Sequence, residues 1–292
     1  MTDSLEDLRN LVDGANDLQA VVRTMKAMSA SSITQYENAV RALNSYSATV
    51  EQGLIACLKQ ASALDYFAQG HSGEKSVAVI VFGSDQGLVG QFNDSLAEFF
   101  HEKIAQIDGH KKIWVVGERM HGRLQDADLV LESCFNVPSS VEGVTPLIGD
   151  LLMATEHMWK SGTQNPLYLF HHSPGELSGQ YKPVMHQLLP LDSPWQKNLR
   201  SQHWSGPSLP ATLGTTSLVL KALIREYLFV SMYQTCAESL ASENASRLIA
   251  MQRAEKNIEE MLAVLQHKYH HQRQEAIDAE LFDVVAGYSS DY

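Results

Sequence analysis

The chain has 292 residues, 44% hydrophobic and 19% charged, enough apolar material for about two domains or one elongated fold. Its formal net charge is −12 and its pI about 5.4, which argues against a protein whose main task is holding nucleic acid or docking on anionic lipid by charge. No apolar run is long enough to span a membrane, the acidic start Met1-Thr-Asp-Ser-Leu-Glu carries neither a signal core nor a basic transit segment, and Cys57, Cys134 and Cys236 are too dispersed for a disulfide framework, so a reducing compartment is expected.

All nine prolines fall between Pro138 and Pro210. Both flanks are therefore free to form long helices. In the first flank Leu5, Leu8, Val12, Ala15, Leu18, Val22, Met25 and Met28 recur at steps of three and four, and Tyr36, Val40, Leu43, Ser47, Val50, Leu54 and Cys57 continue the series. This is a coiled-coil seam, and it predicts a helix over residues 4–58, roughly 80 Å long at about 1.5 Å per residue. Next, Ser76 to Phe82 is a short apolar run that reads as a buried strand. Leu96 to Ile107 has helical spacing behind a cap at Asn93 or Asp94, Lys112 to Val116 is a second strand, and Leu129 to Phe135 a third. Leu147 to Trp159 reads as a helix and Leu167 to His172 as a strand of alternating exposure, with His171 and His172 facing solvent. Residues 173–210, rich in Pro, Ser and Gly, are expected to be irregular or to hold an edge strand.

In the second flank Leu220, Leu223, Tyr227 and Val230 open a helical series that Ile258, Leu262, Leu265, Tyr269, Ile277, Leu281 and Val284 close. Between them lie Ala237, Ala241, Ser242, Ala245 and Ser246, small enough for two helix backbones to approach closely. The expected fold is α/β: an antiparallel coiled coil of N- and C-terminal helices with an inserted, mainly parallel, Rossmann-like α/β domain. The divisions are 1–60, 61–210 including an irregular foot, and 211–292.

Four groups of residues are candidates for chemistry. Gly83-Ser-Asp-Gln-Gly-Leu-Val-Gly-Gln-Phe-Asn93 is a strand-to-helix turn, but its glycines are not spaced as G-x-G-x-x-G and no Gly-Lys-Ser/Thr follows. Read by residues alone, it is a structural turn that caps a helix. His267, His270 and His271 stand at the i, i+3 and i+4 spacing of a chelate, but polar neighbours make a solvated helix face the plainer reading. Glu243 and Arg247 form an i,i+4 pair read as support on a helix surface. Arg273 and Gln274 offer directed hydrogen bonds on one turn of a long exposed helix. No local Ser/His/Asp, Cys/His or paired-carboxylate motif points to a catalyst.

These residues resemble the gamma subunit of F-type ATP synthase, the rotor shaft. Glu238-Ser-Leu-Ala-Ser242-Glu243-Asn-Ala-Ser-Arg247-Leu-Ile-Ala-Met251 is similar to that family's E-S-x-A-S-E-x-x-A-R-M-x-A-M, with Ala254 and Asn257 continuing it. Arg273-Gln274, Ile277, Glu280-Leu281, Val284-Val285 and Gly287 are similar to R-Q-x-x-I-T-x-E-L-x-E-I-V-x-G, and the glycine turn to T-S-D-R-G-L-C-G-x-x-N. Leu8 to Ile33 fits the first helix without a gap, with Met25 on a methionine of K-A-M-E-M.

The resemblance implies a rotor without catalytic, cofactor or metal sites. It would couple ion flow through a membrane ring to ATP synthesis and hydrolysis on a surrounding ring of alpha and beta subunits. Met25, Arg273, Gln274 and Asp278 would touch a beta subunit. Asp85 and Gln86 in the turn, with Gly206 and Pro207 in the foot, would face epsilon and the c-ring. Glu238, Ser242, Glu243, Arg247 and Met251 would be the helix-pair signature. The implied location is the cytoplasmic face of a bacterial plasma membrane, held peripherally.

Departures from the family pattern are Val22-Arg23-Thr24-Met25 for T-K-A-M, Asp278 for the usual threonine, Ser205-Gly206-Pro207-Ser208 for an acidic Y-E-P foot, and the negative net charge. The competing expectations are a nucleotide-binding α/β enzyme that uses the glycine turn, and a coiled-coil adaptor.

Overall fold

A computed structural model describes residues 4–59, 76–127, 129–159, 165–175, 180–190 and 215–289. Two helices account for the flanks: α1, Leu5–Leu58, and the last helix of the chain, Thr216–Ser289. The chain divides into two units, Met1–Ser29 with Arg247–Tyr292, and Ala30–Ser246.

Along α1 Leu54 to Leu58 are all buried; before them, as far as Val50, the buried positions are Leu8, Ala15, Val22, Ser29, Tyr36 and Val50. They follow a heptad step, as a supercoiled seam requires. The seam therefore differs from the expected one. Leu5, Leu18 and Met28 are exposed, and Ser29 takes the inward position. A serine is tolerated there because its hydroxyl donates to its own helix, to the Met25 carbonyl at 2.9 Å, and so enters the seam with its hydrogen bond already made.

The unit Ala30–Ser246 contains a five-stranded sheet of order β3-β2-β1-β4-β5. The strands are β1 Ser76–Phe82, β2 His110–Val116, β3 Ser133–Phe135, β4 Leu167–Pro174 and β5 Tyr181–Leu189. The first four run parallel, and β5 returns antiparallel at the edge. Pro183 stands in that edge strand, where a missing N–H costs least. The connecting helices are α2 Phe92–Ile104, α3 Glu118–Gln125 and α4 Val144–Trp159, and α5 is the long helix Thr216–Ser289.

Alternate residues of β1 feed two cores, as the period-two geometry of a strand demands. Val77, Val79 and Val81 pack with Leu96, Phe100, Met120 and Leu124 on one face. Ala78, Ile80 and Phe82 pack on the other with Ile148 and Leu151 of α4, Leu54 and Ile55 of α1, and Leu228 and Leu240 of α5. The sheet is covered on both faces, which is why β1 is apolar throughout. The same cover explains why β4 does not alternate: from Leu169 to His172 it is continuously buried.

Three elements also differ from expectation in their bounds. Helix α2 starts at Phe92, without a side-chain cap from Asn93 or Asp94, and α4 begins at Val144 rather than Leu147. The third strand contracts to Ser133–Phe135.

Candidate functional site

In sheets of this winding, ligands bind in the crevice outside the carboxyl ends of the strands where the strand order reverses. Here that place lies between β1 and β4, and the chain's own helix α5 fills it. The Ser239 hydroxyl donates to the Phe82 carbonyl at the end of β1 at 3.2 Å. The Ser242 hydroxyl donates to the His172 carbonyl of β4, also at 3.2 Å. Ser246 donates to the Val89 carbonyl in the glycine turn and meets the Tyr181 hydroxyl at 2.9 Å. Three serines at helical spacing thus clamp three backbone carbonyls. The small residues between Ala237 and Ser246, expected to bring two helices together, bring a helix onto strand ends.

The acids of the same stretch are also drawn inward. Glu243 is 5% exposed and Ser242 2%, so Glu243 is buried and not on the helix surface where its spacing with Arg247 had placed it. Glu238 accepts from Gln234 Nε2 at 2.9 Å and from Ser173 Oγ at 3.4 Å, and lies 3.4 Å from His171 Nε2. Burial alone would raise the Glu238 carboxyl, but the bonds from His171, Gln234 and Ser173 outweigh it and leave it below its ordinary value. His171 and His172, expected in solvent, are buried because β4 is an inner strand. His172 Nε2 lies 3.1 Å from Ser95 Oγ, and its ring is held between Phe92 and Tyr181 at 4.3 and 5.0 Å. Sequence alone paired no serine with a histidine. The structure does pair Ser95 with His172, but the imidazole is sealed from solvent and serves packing.

The glycine turn is a scaffold. Asn93 Oδ1 accepts the Ser84 N–H at 3.1 Å, and its Nδ2 donates to Ser84 Oγ at 2.8 Å. This use of the side chain explains why Asn93 does not cap α2. Asp85 receives two backbone amides, Glu118 N–H at 2.9 Å and Val137 N–H at 2.8 Å. One carboxylate therefore ties the turn to the start of α3 and to the segment after β3. Gly117 has φ +109°, and a Cβ there would lie 2.7 Å from the Ser84 nitrogen, so glycine is required. Leu88 takes φ 62° at the exposed tip, and Gln86 is exposed beside it. The adjoining cleft of about 530 Å³ carries Asp94, Glu118 and Asp126 against Arg119 and Arg123, and Arg123 is already paired with Asp94. That surplus of carboxylate suits a phosphate poorly. Asp85→Ala should cost about 2–4 kcal/mol, because two amides lose a charged acceptor at once, with Asp85→Asn costing less. Urea denaturation checks this, and an unchanged midpoint would remove the scaffold role.

In the unit Met1–Ser29 with Arg247–Tyr292, Ala15 and Val22 of α1 pack with Met251, Ile258 and Leu262 of α5, and Met25 is half-buried against this cluster. Arg23 Nε lies 2.9 Å from Glu255 Oε1, and Lys26 pairs with the other oxygen. Lys26 first and Arg23 second hold the Glu255 carboxyl below its ordinary value. These cross-helix pairs went unread in the sequence, although a basic residue on one helix opposite an acid on the other is their signature. Farther along α5, Arg273, Gln274 and Asp278 are exposed on the helix. Around them Ile277, Leu281, Phe282, Val284 and Val285 are exposed as well, Phe282 to 72%. A contiguous apolar helix end of this kind marks an interaction surface. The isolated chain is expected to self-associate through it, and Leu281→Lys with Phe282→Lys to suppress that in sedimentation; a monomer that gains nothing from the change would count against it. Gly206 and Pro207 lie outside the described residues.

Within one unit the terminal helices pack along a shared seam, and in the other a doubly wound sheet carries the chain's own helix across its strand ends; the class is a mixed α/β protein with long N- and C-terminal helices. The sequence profile of the family described as ATP synthase matches residues 4–290, and the chain belongs to that family. It is similar to the ATP synthase gamma chain of Anaeromyxobacter sp. (strain Fw109-5), 25% identical over 294 residues covering 97% of this chain and 98% of the relative. It is 28% identical to the ATP synthase gamma chain of Dichelobacter nodosus (strain VCS1703A) over 289 residues, 97% of each. In fold it is similar to a chain of the Euglena gracilis mitochondrial ATP synthase assembly of OSCP, F1 and c-ring, with TM-score 0.63, 14% identity, and 98% of this chain and 94% of that chain covered. A chain of the Tetrahymena thermophila mitochondrial ATP synthase central stalk and c-ring gives TM-score 0.58 at 19% identity, covering 80% of this chain and 99% of that one. Among the described residues, no helix is long and apolar enough to cross a membrane.

Proposed function

We propose that this chain is the gamma subunit of an F-type ATP synthase, the central shaft whose rotation couples ion flow to ATP synthesis or hydrolysis. The observation that carries the reading is the pairing of a full-length gamma-chain match with an exposed apolar helix end around Arg273 and Gln274. A rotor has no active site of its own. The catalytic sites belong to beta subunits in a ring with alpha. The helix pair, drawn from residues 1–60 and 211–292, presents a different face to each beta subunit as it turns. Each orientation then favours a different nucleotide affinity, a population shift by differential contact.

In this reading Arg273, Gln274, Asp278 and Met25 meet a beta subunit, and Asp278 weakens contact with an acidic loop. The Asp85–Gln86 turn and the foot at Gly206 and Pro207 face epsilon and the c-ring. The complex sits at the cytoplasmic face of a bacterial plasma membrane, and the unusual foot and net charge fit a specialised synthase. The reading as a nucleotide-binding enzyme is disfavoured by the serine clamp that occupies the crevice such an enzyme needs. Co-expression with alpha and beta subunits, followed by native mass and ATP hydrolysis, is the test. A complex of three alpha, three beta and one copy of this chain is expected. A chain that ignores those subunits and binds ATP or NAD alone would return the enzyme reading.

A further inference from the structure

We propose that His267 and His271 form a two-imidazole site for a divalent transition-metal ion of the copper, nickel or zinc class. The site lies on α5 within the two turns before Arg273 and Gln274, and it does not depend on the rotor reading. Both histidines are exposed, at the i,i+4 spacing that stacks side chains one above the other on a helix face. With His270, Gln274, Glu275 and Asp278 they line a surface recess of about 450 Å³. Glu275 Oε1 lies 3.5 Å from His271 Nδ1. A carboxylate in that position accepts a hydrogen bond from Nδ1–H and so favours the tautomer whose lone pair is on Nε2, the arrangement that supports most metal-bound imidazoles. His270 borders the same recess, but as the residue next to His271 it projects about 100° around the helix from it, and its ring packs edge-on against Tyr269 with centroids 5.7 Å apart. It is therefore a neighbour to the pair and not a third ligand.

The donor set decides the class of ion. Two imidazole nitrogens suit copper, nickel and zinc, whereas magnesium and calcium take oxygen ligands. Among the described residues no three His, Cys, Asp or Glu side chains are grouped to enclose a metal. The site is accordingly open, with its remaining positions left to water or to a donor from a facing surface. Ligation needs neutral imidazoles, so acidification releases the ion.

The full chain, titrated with Cu²⁺ and Zn²⁺, tests the assignment. Copper electron paramagnetic resonance should show coupling to two imidazole nitrogens at one ion per chain. His267→Ala and His271→Ala should each abolish that two-nitrogen signal, and His270→Ala should leave it intact. Glu275→Gln should weaken zinc affinity about tenfold without changing the nitrogen count. Because all four side chains are on an exposed helix face, far-ultraviolet circular dichroism should stay unchanged in every variant. The proposal is overturned if the double variant His267→Ala, His271→Ala binds copper or zinc as tightly as the parent chain. It is also overturned if the signal depends equally on His270.

Discussion

Alanine at both Arg273 and Gln274 should slow ATP hydrolysis by the reconstituted complex at least about tenfold, equivalent to about 1.4 kcal/mol of barrier. Each single change should do less than half of that on the free-energy scale. Both side chains are exposed on α5 and have no structural duty within the described fold, so stability should move by less than about 0.5 kcal/mol. The reason for expecting more than additivity is chemical. Arginine presents a planar fork of donors and glutamine an amide with both donor and acceptor, adjacent on one helical turn. A single partner loop that accepts from one and pairs with the other is held by both, so losing either leaves the loop partly gripped, and losing both frees it. Steady-state hydrolysis by the parent, both single variants and the double variant makes the cycle. Additive effects near the parent rate would show that these residues do not act as a unit.

The fold was legible where one period dominates. The heptads of α1 and the apolar run of β1 each have a single explanation, and the helix Leu5–Leu58 and strand Ser76–Phe82 follow from them. Legibility failed where a residue's environment comes from far along the chain. His171 and His172 look like a polar strand end, yet β4 is an inner strand, with β5 from one side and α5 from above closing over it. Ser29 looks like a surface residue beside Met28, but a self-satisfied hydroxyl is admitted to a seam from which a longer side chain is turned away.

The serine clamp shows the same limit in a sharper form. Small residues at helical spacing announce a close approach but not what approaches. Helix and strand end were equally compatible with Ser239, Ser242 and Ser246, and only the carbonyls of Phe82, His172 and Val89 decide between them. The candidate contact residues are different again. Nothing in the periodicity of α5 distinguishes Arg273 from any other exposed arginine, and resemblance alone singled it out. Asp85 lay between these cases: its place in a glycine turn was plain, but its two amide donors come from residues 33 and 52 positions away.

The fold should lose stability in mild acid through His172. Its imidazole is fully enclosed, and burial first, with the neighbouring His171 adding to it, pushes its pKa from 6.5 down to about 3. The neutral ring is thus what the folded chain holds, while the unfolded chain binds a proton near pH 6.5. Stability from this group is complete above that value and falls as the pH drops toward 3. The loss is about 2 kcal/mol by pH 5 and on the order of 4–5 kcal/mol near pH 3. Glu238 is lowered as well, so its own contribution is lost only below the ordinary carboxylate range near 4.5. The interval between about pH 6.5 and 5 therefore has little from Glu238 and reports His172 together with His186. Burial first and His171 second also hold the His186 imidazole below its ordinary value, against the opposing Glu238 carboxylate. His172→Gln keeps a partner for Ser95 without a group that titrates there. That variant should be less stable at neutral pH through poorer packing between Phe92 and Tyr181, yet decline less steeply than the parent between pH 6.5 and 5, keeping only the part due to His186. Urea midpoints across that interval decide the matter. A parent midpoint that does not move, or a variant that declines in parallel with it, would show that His172 is not the group that takes up the proton.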